Sequence, residues 1–104
     1  HRRPGGLSPM ADVRNEQTRE RSGRYVISLD GADAGFSNYH LQDGVLTFMH
    51  TEIDPGHEGQ GLGSALARGA LHDARARGLR VVARCPFIAS YLKRHPEFQD
   101  LADA

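Results

Sequence analysis

The sequence predicts an α/β protein of the α+β kind, with a mixed, mostly antiparallel sheet in which a β-meander is followed by helix, strand and helix. Three observations carry this. Short β-rich runs separated by tight Gly-containing turns fill the first half. The apolar period then lengthens to that of a helix at Leu62. A single further apolar strand, Leu79 to Cys85, is bracketed by Gly78 and Pro86, which stop one helix and start another.

Taken in order, "VRNEQTRERSGRYVISLDG" reads as a polar strand, a turn near Ser22-Gly23 and a strand from Arg24 to Leu29. Asp30-Gly31 has the composition of a hairpin turn. "FSNYHL" continues as an aromatic-bearing strand, and Gln42-Asp43-Gly44 turns it into "VLTFMHTEI". Strands joined by such short turns pair antiparallel. After Asp54-Pro55-Gly56, residues Leu62, Ala65, Leu66, Gly69, Ala70 and Ala74 fall on one helical stripe, with Arg68, His72, Arg75 and Arg77 largely off it. In "LRVVARC", Leu79, Val81, Ala83 and Cys85 share one face of a strand. "PFIASYLKRH" is then a short helix ended by Pro96, and "EFQDLADA" adds a last turn. The elements together make a sandwich of one sheet and covering helices.

A chain of 104 residues holds one modest core. "HRRPGGLSP", residues 1–9, is expected to be a tag remnant or a disordered arm, and residues 10–104 a single domain. Without Arg2 and Arg3, 11 basic side chains face 13 acidic ones, a net −2. That balance disfavours a dedicated nucleic-acid binder; Arg68, Arg75, Arg77, Arg80 and Arg84 read as a solvated face. No apolar run reaches the ~18 residues of a membrane span. The single cysteine, Cys85, allows no internal disulfide, so a reducing cytoplasm is the expected location.

The informative stretch is "HTEIDPGHEGQGLGSALARGAL", His50 to Leu71. Gly59, Gly61 and Gly63 stand where a strand hands over to a helix. The first N–H groups of a helix lack internal partners and, with the macrodipole, favour an anion. Glycines there serve either a diphosphate cradle or merely a tight turn with close packing. A Walker A loop fails, because Leu62 and Gly63 stand where Lys and Ser/Thr belong. A dinucleotide fingerprint fails at Ser64 and lacks the parallel βαβ series. His50, Glu52, Asp54, His57 and Glu58 cluster in sequence without zinc-ligand spacing, so no metal is expected.

"HEGQGLGSALA" after a strand and an acidic-Pro pair resembles the acetyl-coenzyme A signature of the GNAT superfamily of N-acetyltransferases. That signature is Arg or Gln, two residues, Gly, one residue, then Gly or Ala. Gly61 and Gly63 match its glycines, while Glu58 departs from its Arg or Gln; a one-residue slip would let Gln60 serve. Cys85, Pro86, Phe87, Tyr91, His95, Pro96 and Glu97 resemble the "CPF…Y…HPE" segment of very small, stand-alone members. The likeness runs from about Val13 to Leu101. It implies an acetyl-coenzyme A-dependent N-acetyltransferase acting on an amine, a small molecule or a protein, as a monomer or small homo-oligomer. The alternative is a GNAT-like module that binds acyl-coenzyme A or a partner without turnover.

By this resemblance the coenzyme's diphosphate meets Glu58, Gly59, Gln60, Gly61, Leu62, Gly63 and Ser64, and the backbone of Ile53 pairs with its pantetheine arm. Pro86, Tyr91 and Lys93 lie along the same path, with Lys93 toward the ribose phosphate. Acyl transfer also needs a neutral amine, and holding a lysine-like amine neutral near pH 7 costs about 4.6 kcal/mol, so a base is useful. Glu52 is one candidate, paired with His50 on its own strand face, and solvated strand-end residues are the plain alternative. Cys85 is the other pointed candidate: a nucleophile, a proton donor to the departing thiolate, or a packed small residue. Tyr91 resembles the superfamily's acid toward that thiolate, or is an ordinary core aromatic.

Overall fold

The computed structural model describes residues 11–57 and 61–102. Residues 1–9, and the loop positions Glu58, Gly59 and Gln60, lie outside the described residues. Five strands, β1 (Ala11–Arg19), β2 (Ser22–Leu29), β3 (Ala32–Gln42), β4 (Val45–Ile53) and β5 (Arg80–Ala83), form one sheet in sequence order. The first four pair antiparallel, and β5 runs parallel to β4. The β4–β5 crossover carries α1 (Leu62–Ala76); α2 (Pro86–Arg94) and a 3₁₀ segment (Pro96–Leu101) follow β5. The expected mixed sheet and its element order are present.

Two hairpins form as their sequences dictate. Asp30 and Gly31 (φ 51° and 87°), like Asp43 and Gly44 (φ 53° and 77°), hold the paired positive φ values that match the twist of the flanking strands. The first hairpin differs from expectation. Its turn is Glu20-Arg21, and Ser22-Gly23 already belong to β2. Gly23 is there for space: a Cβ would stand 2.6 Å from the Glu16 carbonyl oxygen and 2.7 Å from the Tyr39 hydroxyl. The glycine admits a close neighbour instead of bending the chain.

Helix α1 lays Leu62, Leu66, Ala67, Ala70, Leu71 and Ala74 on the sheet. Beneath them lie Tyr25, Ile27, Tyr39, Leu46, Phe48 and Val81, all at most 2% exposed. The helix ends at Gly78 (φ 71°), as its sequence predicts. The Leu79 N–H reaches the Ala74 carbonyl and the Gly78 N–H that of Arg75, which satisfies the last carbonyls. Tyr25 ties helix to sheet by donating to Asp73 at 2.5 Å. Burial and that carboxylate hold its phenol protonated well beyond the ordinary tyrosine range.

Register places Arg14, Glu16, Arg24, Val26, Phe36 and Asn38 on the face away from the helices. There Arg14 donates to both Asp33 oxygens at 3.0 Å and pairs with Glu16, while Arg24 reaches Glu16 and sits 5.6 Å from the Phe36 ring centre. Arg14 holds the Asp33 and Glu16 carboxyls below their ordinary values. Groups depressed in the folded state stabilise above their unfolded pKa, and that contribution fades as pH falls through the folded one. Stability should therefore drop as pH falls below about 4. Arg14→Gln should flatten that drop by removing the small contribution present at neutral pH, as read from urea melts across pH.

Candidate functional site

The site begins where β4 and β5 part. Their ladder runs from Val45↔Arg80 to Phe48↔Ala83 and goes no further. The Phe48 carbonyl accepts both the Arg84 N–H at 2.9 Å and the Cys85 N–H at 3.1 Å, which turns the chain out of the strand. Cys85 then caps α2, and Pro86 opens it, as expected. Strand β4 continues to Ile53, still paired with β3, and its other edge is not paired to β5.

A β-bulge coincides with this parting. Asn38 pairs with His50 and Tyr39 with Phe48, so Met49 is the extra residue. Strict alternation from Leu46 and Phe48 would carry His50 and Glu52 onto the helix side. The bulge reverses this. Thr51 and Ile53 face the helices, whereas His50 and Glu52 stand on the open face, 56% and 61% exposed along their side chains. They do pair with each other: His50 Nε2 lies 2.8 Å from Glu52 Oε2. The His50 ring also packs by Phe36, with centroids 6.2 Å apart.

Between the freed edge of β4 and the starts of both helices lies a cleft of about 320 Å³, lined by Thr51, Ile53, His57, Gly61, Leu62, Gly63 and Phe87. Gly61 is the N-cap of α1 at φ 75°, with open space where a Cβ would be and no side-chain cap. The first helical bond of α1 runs from the Ala65 N–H to the Gly61 carbonyl, so the Leu62, Gly63 and Ser64 N–H groups precede the intrahelical ladder. No acidic side chain occupies the first turn of α1. This donor set fits the linked phosphates of a coenzyme, and the open φ-positive glycine leaves room for them. Gly63 has a different reason to be glycine. A Cβ there would come within 2.8 Å of the Phe87 ring, so it sets how closely the two helix starts approach.

The other expected residues divide. Cys85 is 3% exposed and stands behind the cleft wall; its thiol donates to Thr51 Oγ1 at 3.2 Å. Tyr91 is buried and stacks on His95 at 3.7 Å between ring centres; it does not line the cleft, and burial raises its pKa. Pro86 and Lys93 are exposed on α2. Thr51, His57 and Phe87 line the cleft without having been singled out as coenzyme-site residues. Only the bulge brings Thr51 inward, and no local pattern announces it. His57 Nδ1 is enclosed and without a hydrogen-bond partner among the described residues. Among the described residues no three His, Cys, Asp or Glu side chains converge as a metal site. No helix there is long and apolar enough to cross a membrane.

A mixed sheet whose β4 and β5 part after a bulge, beside a glycine-capped helix start, defines an α+β fold with a cleft at that parting. The sequence pattern described as GCN5-related N-acetyl-transferase matches residues 24–101, and the chain belongs to that family. Among solved structures it is similar to the ribosomal-protein-S18-alanine N-acetyltransferase of Escherichia coli, with a TM-score of 0.62 and 18% identity over 69% of this chain. It is also similar to the ribosomal-protein-alanine N-acetyltransferase of Brucella melitensis biovar Abortus 2308, with a TM-score of 0.59 and 18% identity over 83% of this chain. It spans 64% of the length of each. At that identity the likeness is one of fold. No curated protein sequence matches the chain.

Gly63→Ala should displace the Phe87 ring and narrow the cleft. Global stability should change by no more than about 1 kcal/mol, because alanine favours the helix by a similar amount. Contacts from Phe87 to Thr51 and Ile53 in an NMR or crystal structure of the variant, beside a thermal melt, check both parts.

Proposed function

We propose that the chain is an acetyl-coenzyme A-dependent N-acetyltransferase acting on an amine. The observation that carries this reading is the parting of β4 from β5 beside the Gly61-capped start of α1. When bound, the coenzyme supplies an activated acyl thioester. The chain's own part is to hold and orient it. The N–H groups of Leu62, Gly63 and Ser64, with the helix dipole behind them, receive the phosphates. The unpaired backbone edge at Ile53 offers strand-like hydrogen bonds to an extended arm. Lys93, exposed in the last turn of α2, is the residue that the family resemblance assigns to a further phosphate.

The amine is taken from the open face. His50 and Glu52 stand there as a hydrogen-bonded pair, on the opposite sheet face from the cleft, so they can take the ammonium proton only if the acyl group reaches past the unpaired edge of β4 toward them. Met49, 41% exposed beside them at the bulge, gives that approach an apolar border. Cys85 is assigned a supporting place rather than that of a nucleophile, because its thiol is buried and engaged by Thr51.

Acetyl-coenzyme A should raise the melting temperature and, with a suitable amine, release free thiol. Stabilisation without thiol release across an amine panel would identify a binding module instead; no stabilisation by any coenzyme A species would refute the reading. Gly61→Val should weaken coenzyme binding at least tenfold, since a β-branched residue at φ 75° costs about 1–2 kcal/mol or more and fills the cradle. Calorimetric titration of both proteins measures it.

A further inference from the structure

One polar group on the cleft wall has no part in the phosphate cradle or in the His50–Glu52 pair. Thr51 lines the cleft, and its Oγ1 lies 2.9 Å from Ser37 Oγ and 3.2 Å from the Cys85 thiol that donates to it. Ser37 is fully buried and Cys85 nearly so. A hydroxyl has one hydrogen to give and two lone pairs to receive with. The Cys85 S–H occupies one lone pair. When Ser37 donates as well, the second is filled and the Thr51 hydrogen is left for whatever occupies the cleft. Two donors converging on one oxygen also polarise its O–H bond, in a place mostly screened from water.

We propose that Thr51 is the cleft's side-chain hydrogen-bond donor, oriented by Cys85 and Ser37, and that it addresses the acyl carbonyl oxygen of the bound thioester. This rests on the acetyl-coenzyme A reading above and deepens it. Cys85 and Ser37 become positioning residues: they act through Thr51 and fix which way its hydrogen points. The arrangement accounts for a buried thiol that faces a hydroxyl instead of open space. It also gives the Met49 bulge a chemical consequence, because the bulge is what turns Thr51 toward the cleft and its two partners.

The test compares wild type, Thr51→Val, Thr51→Ser and Ser37→Ala. Valine matches threonine in shape and suits a strand, so the fold should persist; serine keeps the hydroxyl. Calorimetry should show Thr51→Val losing about three- to tenfold in affinity for acetyl-coenzyme A, the size of one neutral hydrogen bond, with affinity for free coenzyme A unchanged. Isotope-edited infrared spectra of bound acetyl-coenzyme A, labelled at the carbonyl carbon, should show a higher stretching frequency in Thr51→Val than in wild type. Thr51→Ser should restore the wild-type frequency, and Ser37→Ala should fall between. Equal affinity and equal frequency in wild type and Thr51→Val would overturn the assignment of Thr51 while leaving the coenzyme reading standing. A wild-type protein that binds neither acetyl-coenzyme A nor coenzyme A would overturn both.

Discussion

The carbonyl of Phe48 is the point on which the site turns. It receives two N–H groups, from Arg84 and Cys85, where a regular parallel ladder would give it one. Having taken both, it ends β5 and sends the chain into α2. The next residue, Met49, is the bulge that reverses the facing of β4. A sheet whose strands stayed paired would have no unpartnered edge at Ile53, no cleft between the helix starts, and no inward Thr51. Bulges bend and twist the strand that carries them, so the parting of the two strands and the reversal of their side chains occur together.

The two faces of the sheet are held by different forces. On one, α1 and α2 seal an aromatic and aliphatic core by burial, at roughly 25 cal/mol per Å² of apolar surface removed from water. On the other, Val26 is only 2% exposed although no helix among the described residues covers it; it sits in register between Arg14 and Phe36. The charged rows of Arg14, Glu16, Arg24 and Asp33 are therefore a roof as well as a polar surface, their stems covering apolar ground while their heads pair in water. Each exposed ion pair is worth little alone.

Glycine spacing is a less direct guide than it looks. Gly61 and Gly63 both match a coenzyme-binding pattern, yet they answer to different constraints. Gly61 is fixed by a left-handed backbone with empty space in front of it, which leaves the helix start open to the cleft. Gly63 is fixed by the Phe87 ring, a packing matter that shapes the cleft only at second hand. Glu58, whose charge would oppose a nearby phosphate, lies outside the described residues.

The chain's local patterns determined the meander, the two Asp-Gly hairpins, the limits of α1, and the Pro86 start of α2, because turn chemistry, helical stripes and caps are short-range. They also determined that a helix would begin at glycines with its N–H groups unspent. The placing of side chains about the site was decided only in three dimensions. Period-two alternation is blind to a bulge, so nothing in "FMHTEI" says that His50 and Glu52 point away from the cleft while Thr51 and Ile53 point into it. Burial of Cys85 behind Thr51, and of Tyr91 against His95, likewise depends on where α2 lands after the Phe48 carbonyl breaks the ladder, a contact between residues 36 and 37 positions apart. Short-range chemistry chose the elements; one long-range pair of hydrogen bonds chose which residues meet.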